Sequence, residues 1–138
     1  DAEILIGACD RSGLEEGKFG KTFKKEYRKY EPDQQVLDQL KKKLKLHFIT
    51  VVMGTWCHDT KEQVPRFFHV LDSVDYPESN LTLIAVDTKK KAGEVDISEL
   101  DIERIPTFIV YRRGIEIGRI VETPQESIEK DLLGIISN

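Results

Sequence analysis

The residues with the clearest capacity for chemistry stand together at Trp56-Cys57-His58-Asp59-Thr60, within the stretch VVMGTWCHDTKEQVP that runs from Val51 to Pro65. An apolar run turns polar here and takes on helical spacing. Cys57 is therefore expected in the first turn of a helix, where unpaired N–H groups and the positive end of the macrodipole favour the thiolate that attacks disulfides and peroxides. His58, when protonated, acts in the same direction and Asp59 against it. Thr60 takes the place of the second thiol of a Cys-x-x-Cys redox site. One turn from Cys57, its hydroxyl can donate a hydrogen bond to the sulfur but cannot resolve a mixed disulfide. Resolution is left to glutathione or another small thiol, to a partner protein, or to Cys9, the only other cysteine. Cys9 also reads simply as a small buried hydrophobe at the end of a strand.

The elements that must position these residues follow from periodicity. Glu3–Ala8 (EILIGA) reads as a short strand, and CDRSGLEEGKFG after it as a loop or a single helical turn. Phe23, Tyr27 and Tyr30 share one helical face. After Pro32, with Asp33 as a cap, Val36, Leu37, Leu40 and Leu44 mark a second helix, with Lys41, Lys42 and Lys43 as a solvated face near its end. FITVVM, apolar on both faces and rich in β-branched residues, suits a central buried strand. Val64, Phe67, Phe68 and Leu71 carry the helix that begins near Cys57 and runs to about Ser73, bent at Pro65. LTLIAV is a second buried strand, and the charged segment Asp87 to Arg104 leaves room for one short helix. TFIVYRRGIEIGRIVE gives a hairpin turning at Arg113-Gly114. A last helix opens at Thr123, Pro124 and Glu126 as a capping box and buries Ile128, Leu132, Ile135 and Ile136.

A chain of 138 residues fits one domain with its own core. A net charge of −4 gives no reason to expect nucleic acid, and no apolar run reaches the ~20 residues of a membrane-spanning helix. The three histidines, His47, His58 and His69, lack the spacing that sets two ligands on one helix face, so no metal and no cofactor is expected. Lys89, Lys90 and Lys91 read as a solvated loop. The sequence starts at Asp1, which leaves the compartment open: periplasmic or otherwise extracytoplasmic if a signal was removed, cytoplasmic if not. Oligomeric state is not legible.

The order strand, two helices, then β-α-β-(α)-β-β-α, with Trp56-Cys57 at a strand-to-helix junction, Pro65 eight residues on, and Ile105-Pro106-Thr107 before the hairpin, resembles the thioredoxin superfamily. The resemblance covers residues 36–138 and leaves 1–35 as an N-terminal extension. It implies an α/β thioredoxin fold, a mixed sheet flanked by helices on both faces. It also implies a cis Pro106 whose preceding residue, Ile105, lies close to Cys57 and pairs with an extended substrate. The TWC-x-D-[ST]-K segment is similar to thioredoxin-like proteins of bacteria with no well-defined substrate. Two positions depart from the pattern: the second cysteine is Thr60, and the buried acid of the preceding strand is Val51. The expected activity is thiol–disulfide exchange through Cys57 alone, with Thr60 beside it and with Trp56, His58, Ile105 and Pro106 receiving a protein or small-molecule thiol or disulfide. The alternatives are a peptide-binding module without redox turnover and, less favoured, a thiol peroxidase.

Overall fold

The computed structural model describes residues 4–137. Five strands form one mixed sheet in the order β1-β3-β2-β4-β5. They are β1 (Gly7–Cys9), β2 (Phe48–Met53), β3 (Leu81–Ala85), β4 (Thr107–Arg112) and β5 (Ile115–Val121). β2 lies at the centre, parallel to β3 and antiparallel to β4, so Val51 faces Leu83 on one side and Phe108 on the other. A strand flanked on both edges and both faces needs apolar residues throughout. FITVVM supplies them, and Val51 is fully buried. β4 and β5 close a hairpin in which Arg113 and Gly114 both take positive φ, the twist-matching turn for a two-residue loop.

The helices are α1 (Arg11–Leu14), α2 (Gly17–Lys29), α3 (Gln34–Lys43), α4 (His58–Ser73) and α5 (Ile128–Ile136). One face of the sheet holds the larger core, in which Phe23 of α2, Leu40 of α3, Phe67 of α4 and Leu132 of α5 meet Val51, Leu83, Phe108 and Val110. The opposite face carries a smaller cluster of Val52, Ile84, Val86, Ala92 and Ile105. Its cover is the segment between β3 and β4, helical only at the 3₁₀ turn Ser98–Leu100, which brings in Val95, Ile97, Leu100 and Ile102. The result is the mixed α/β thioredoxin-like fold.

Several boundaries differ from expectation, each for a local reason. The first strand is confined to Gly7–Cys9: Gly7 takes φ +92, and Ile4 and Ile6 are exposed before it. Glu3, where that strand was expected to start, lies outside the described residues. The stretch expected as loop or a single helical turn holds the one turn Arg11–Leu14 and then opens α2 at Gly17, because packing of Phe19, Phe23 and Tyr27 against α4 outweighs the cost of its glycines. At Gly20 a Cβ would run into the Glu15 carbonyl, so glycine is what allows that turn to close. The last helix does not use Thr123 as its cap. Ser127 does, accepting from the Lys130 N–H, while the Asp131 carboxylate takes up the N–H groups of Gln125 and Glu126. Asp33 caps α3 as its position suggests.

A charged clasp fixes the N-terminal helices to α4 and α5. Arg11 makes two 2.6 Å bonds to the Asp72 carboxylate and lies 4.9 Å from the centre of the Phe68 ring. The Tyr27 hydroxyl also donates to Asp72, and the Tyr27 carbonyl is bonded to His69 Nδ1. Further along, the Tyr30 hydroxyl and the Asp33 N–H both donate to Glu129, a carboxylate only 3% exposed. Burial alone would raise the Asp72 carboxyl, but the bonds from Arg11 and Tyr27 outweigh it and hold it below its ordinary value of 3.8. A lowered folded-state value means stabilisation that is complete above 3.8 and is lost as pH falls through the folded value. Asp72→Asn should therefore cost about 1–2 kcal/mol at neutral pH. It should also flatten the acid limb of the stability–pH curve. Urea unfolding of both proteins across that limb checks this.

Candidate functional site

The site grows from the turn between β2 and α4. The Cys57 N–H bonds the Gly54 carbonyl at 2.9 Å and the Thr60 Oγ1 accepts the Gly54 N–H at 3.2 Å, so both backbone groups of Gly54 are used to fold the chain back on itself. Trp56 is locked by its indole N–H, which donates to the Val86 carbonyl at the end of β3 at 2.9 Å. A Cβ on Gly54 would lie 2.7 Å from the Trp56 ring and 2.8 Å from Ile105 Cδ1. Only glycine lets the indole and the Ile105 loop close over this point together.

Cys57 is the N-cap of α4, one position earlier than expected, with extended backbone angles (φ −89, ψ 131) and no side chain capping the helix. Its carbonyl accepts the first intrahelical bond, from Lys61. The half-buried sulfur lies 3.7 Å from the Ile105 carbonyl oxygen. Ile105 is 4% exposed, the Ile105–Pro106 peptide is cis, and the Pro106 carbonyl is tied to the end of β5 by the Glu122 N–H at 2.7 Å. Chain ends on either side of β2 thus hold Trp56, the residue before Cys57, and Ile105, whose carbonyl faces the sulfur. Among the residues singled out from sequence, Trp56, Cys57, Ile105 and Pro106 are brought together here, and His58 is exposed at the rim.

Thr60 is close but differently employed. It is fully buried and its hydroxyl holds the Gly54 N–H, so it supports the loop under the sulfur, where a hydrogen bond to the sulfur had been expected. Cys9 does not approach Cys57. It pairs with Leu83 in β1–β3 and packs with the larger core, whereas Cys57 packs with the cluster on the other face, and both thiols are free. Burial, reinforced by Asp10, pushes the Cys9 thiol up to about 11.

The remaining histidines are structural. His47 bonds the Lys43 carbonyl through Nδ1 and receives Arg112 Nε at Nε2, and His69 rests on Tyr27. Among the described residues no three His, Cys, Asp or Glu side chains gather as a metal site, and no helix is long and apolar enough to cross a membrane. Sequence reasoning missed the surface next to Trp56. Leu5, Lys18, Phe19 and Thr55 line a cleft there with Lys61, the last residue of the TWC-x-D-[ST]-K segment. The available signal was Lys61 itself, four residues after Cys57.

No family model matches the chain, and no curated protein matches it by sequence. Solved structures do. A protein of unknown function from Pseudomonas aeruginosa aligns with a TM-score of 0.64 at 17% identity, covering 85% of this chain and 82% of that one. An HIV epitope-scaffold aligns with a TM-score of 0.57 at 18% identity, covering 85% and 81%. The oxidized form of mitochondrial thioredoxin 3 from Saccharomyces cerevisiae aligns with a TM-score of 0.46 at 20% identity, covering 74% and 90%. The first two are likenesses of fold.

The opposite placement of the two thiols has a direct readout. In the untreated protein, mass spectrometry should find no Cys9–Cys57 bridge. In Cys57→Ser, alkylation of Cys9 should stay slow through neutral pH and accelerate only toward the about 11 at which that thiol ionises.

Proposed function

We propose that the chain is a thioredoxin-like thiol–disulfide oxidoreductase acting through Cys57 alone. The observation that carries this reading is the position of one half-buried sulfur, at the uncapped N-terminus of a 16-residue helix and 3.7 Å from the carbonyl preceding Pro106. Backbone dipoles aligned along α4 put partial positive charge next to the sulfur, which stabilises the transition state in which negative charge spreads along three sulfurs. The Ile105 carbonyl and the backbone beside it offer main-chain pairing to an extended partner, and Trp56 packs with Cys57 against the same apolar cluster.

The thiolate of Cys57 attacks one sulfur of a disulfide. A Cys57–S–S–R bond forms, the old S–S bond breaks, and the second half leaves as a thiolate. Thr60 has no sulfur with which to displace R, and Cys9 lies across the sheet. A second thiolate from solution or from a partner protein therefore attacks the mixed disulfide, carries R away as a new disulfide and returns Cys57 to the thiolate. The protein passes an R–S group from one thiolate to another and ends each cycle with no net change in its own redox state.

Exposure to an excess of an aromatic disulfide, followed by gel filtration, should leave one stable adduct on Cys57, removed on adding glutathione. Cys57→Ser should form none there. Thr60→Cys should shorten the adduct's lifetime by at least about tenfold, through attack from within the same helical turn. An unmodified Cys57 after prolonged exposure to the disulfide would leave the fold as a binding module.

A further inference from the structure

Between the N-terminal helices and the start of α4 lies a cleft of about 760 Å³. That is the size of a small-molecule site. Leu5 and Phe19 form one wall and Trp56 the other, and the Leu5 N–H donates to Thr55 Oγ1 at 3.4 Å, tying the N-terminal chain to the loop that carries the cysteine. Two cations, Lys18 and Lys61, line it against a single carboxylate, Glu16. Neither lysine has an ion-pair or hydrogen-bond partner for its ammonium among the described residues. Lys61 is half-buried, one helical turn beyond Cys57 and on the same side of α4, and Trp56 immediately precedes Cys57. The cleft thus lies beside Trp56 and Lys61, which flank Cys57 in the chain, and Cys57 itself does not line it.

We propose that this cleft binds a small thiol bearing carboxylates, or its disulfide, about the size of a tripeptide. Its carboxylates would sit on Lys18 and Lys61, and its apolar part between Trp56 and Phe19. This rests on the reading of Cys57 as a site of disulfide exchange and names the class of thiol that meets it. Charge complementarity selects an anion, and the apolar walls select one with a carbon skeleton rather than an inorganic ion.

Trp56 is the only tryptophan, so its fluorescence reports occupancy directly. The test is a titration of Cys57→Ser with S-methylglutathione, which has no free thiol and forms no disulfide. We expect a saturable change with a dissociation constant of about 0.1–1 mM. Binding should weaken at least about fivefold in Lys18→Ala or Lys61→Ala and on raising salt, and be unchanged in Lys42→Ala on the far helix α3. Lys61→Arg should keep most of the affinity, which separates loss of charge from loss of structure. The diester of the same ligand should bind at least about tenfold more weakly. Absence of a saturable change, an equal effect of Lys42→Ala, or equal binding of the diester would overturn the proposal. So would an acidic heptapeptide without cysteine that competes as well as the tripeptide. Because no thiol chemistry enters this titration, a Cys57 that forms no mixed disulfide leaves its outcome untouched. A cleft that binds nothing likewise leaves the labelling of Cys57 as described.

Discussion

Everything at the site depends on how β2 ends. A buried strand must surrender its last N–H and C=O to some partner before the chain can leave the core, since unpaired groups there are costly. Gly54 does this in the smallest space available: its N–H goes to the Thr60 hydroxyl and its carbonyl to the Cys57 N–H. The turn that results starts α4 at once and leaves Cys57 as the cap. In this light Thr60 is the buried hydroxyl that makes so abrupt a strand-to-helix junction possible. It need not be regarded only as a lost cysteine. The same junction brings the Trp56 indole down on the Val86 carbonyl, which links the site to the parallel neighbour β3.

The two faces of the sheet are covered by different means, with consequences for the site. All five helices contribute to the larger core, and aromatic contacts such as Phe67 on Phe108, 4.6 Å between ring centres, give that side a dense interior. The other face is covered by a mostly irregular segment whose own polar groups must be satisfied locally. Asp87 accepts the N–H groups of Lys89 and Lys91, and Arg119 of β5 reaches the carbonyls of Leu100 and Asp101. Cys57 and Ile105 belong to this second, thinner layer. A site under a thin cover keeps access to solvent, whereas Cys9, facing the thick layer, is held as a high-value thiol by burial.

The N-terminal helices do more than lengthen the chain. Arg11, Tyr27 and Tyr30 bind them to carboxylates on α4 and α5, and each of these bonds spans at least 45 residues of sequence. Charged hydrogen bonds with fixed geometry set the position of a helix more narrowly than apolar packing alone. That precision gives the cleft beside Trp56 a defined second wall, placed by Asp72 and Glu129 at a distance from the sulfur.

The sequence by itself determined the central strand, the helix after Cys57, the hairpin at Arg113-Gly114 and the Asp33 cap, because each is written in local periodicity or in a residue with a single backbone preference; the Trp-Cys and Ile-Pro pairs stood out through the resemblance to the thioredoxin superfamily. It could not place Thr60 on Gly54, set the two cysteines on opposite faces, move the last cap from Thr123 to Ser127, or turn the glycine-bearing stretch around Gly17 and Gly20 into helix. Those were decided by tertiary structure. Each depends on which distant group stands within about 3 Å of a donor, or which ring a helix packs against, and such distances are fixed only when strands and helices far apart in sequence compete for the same core.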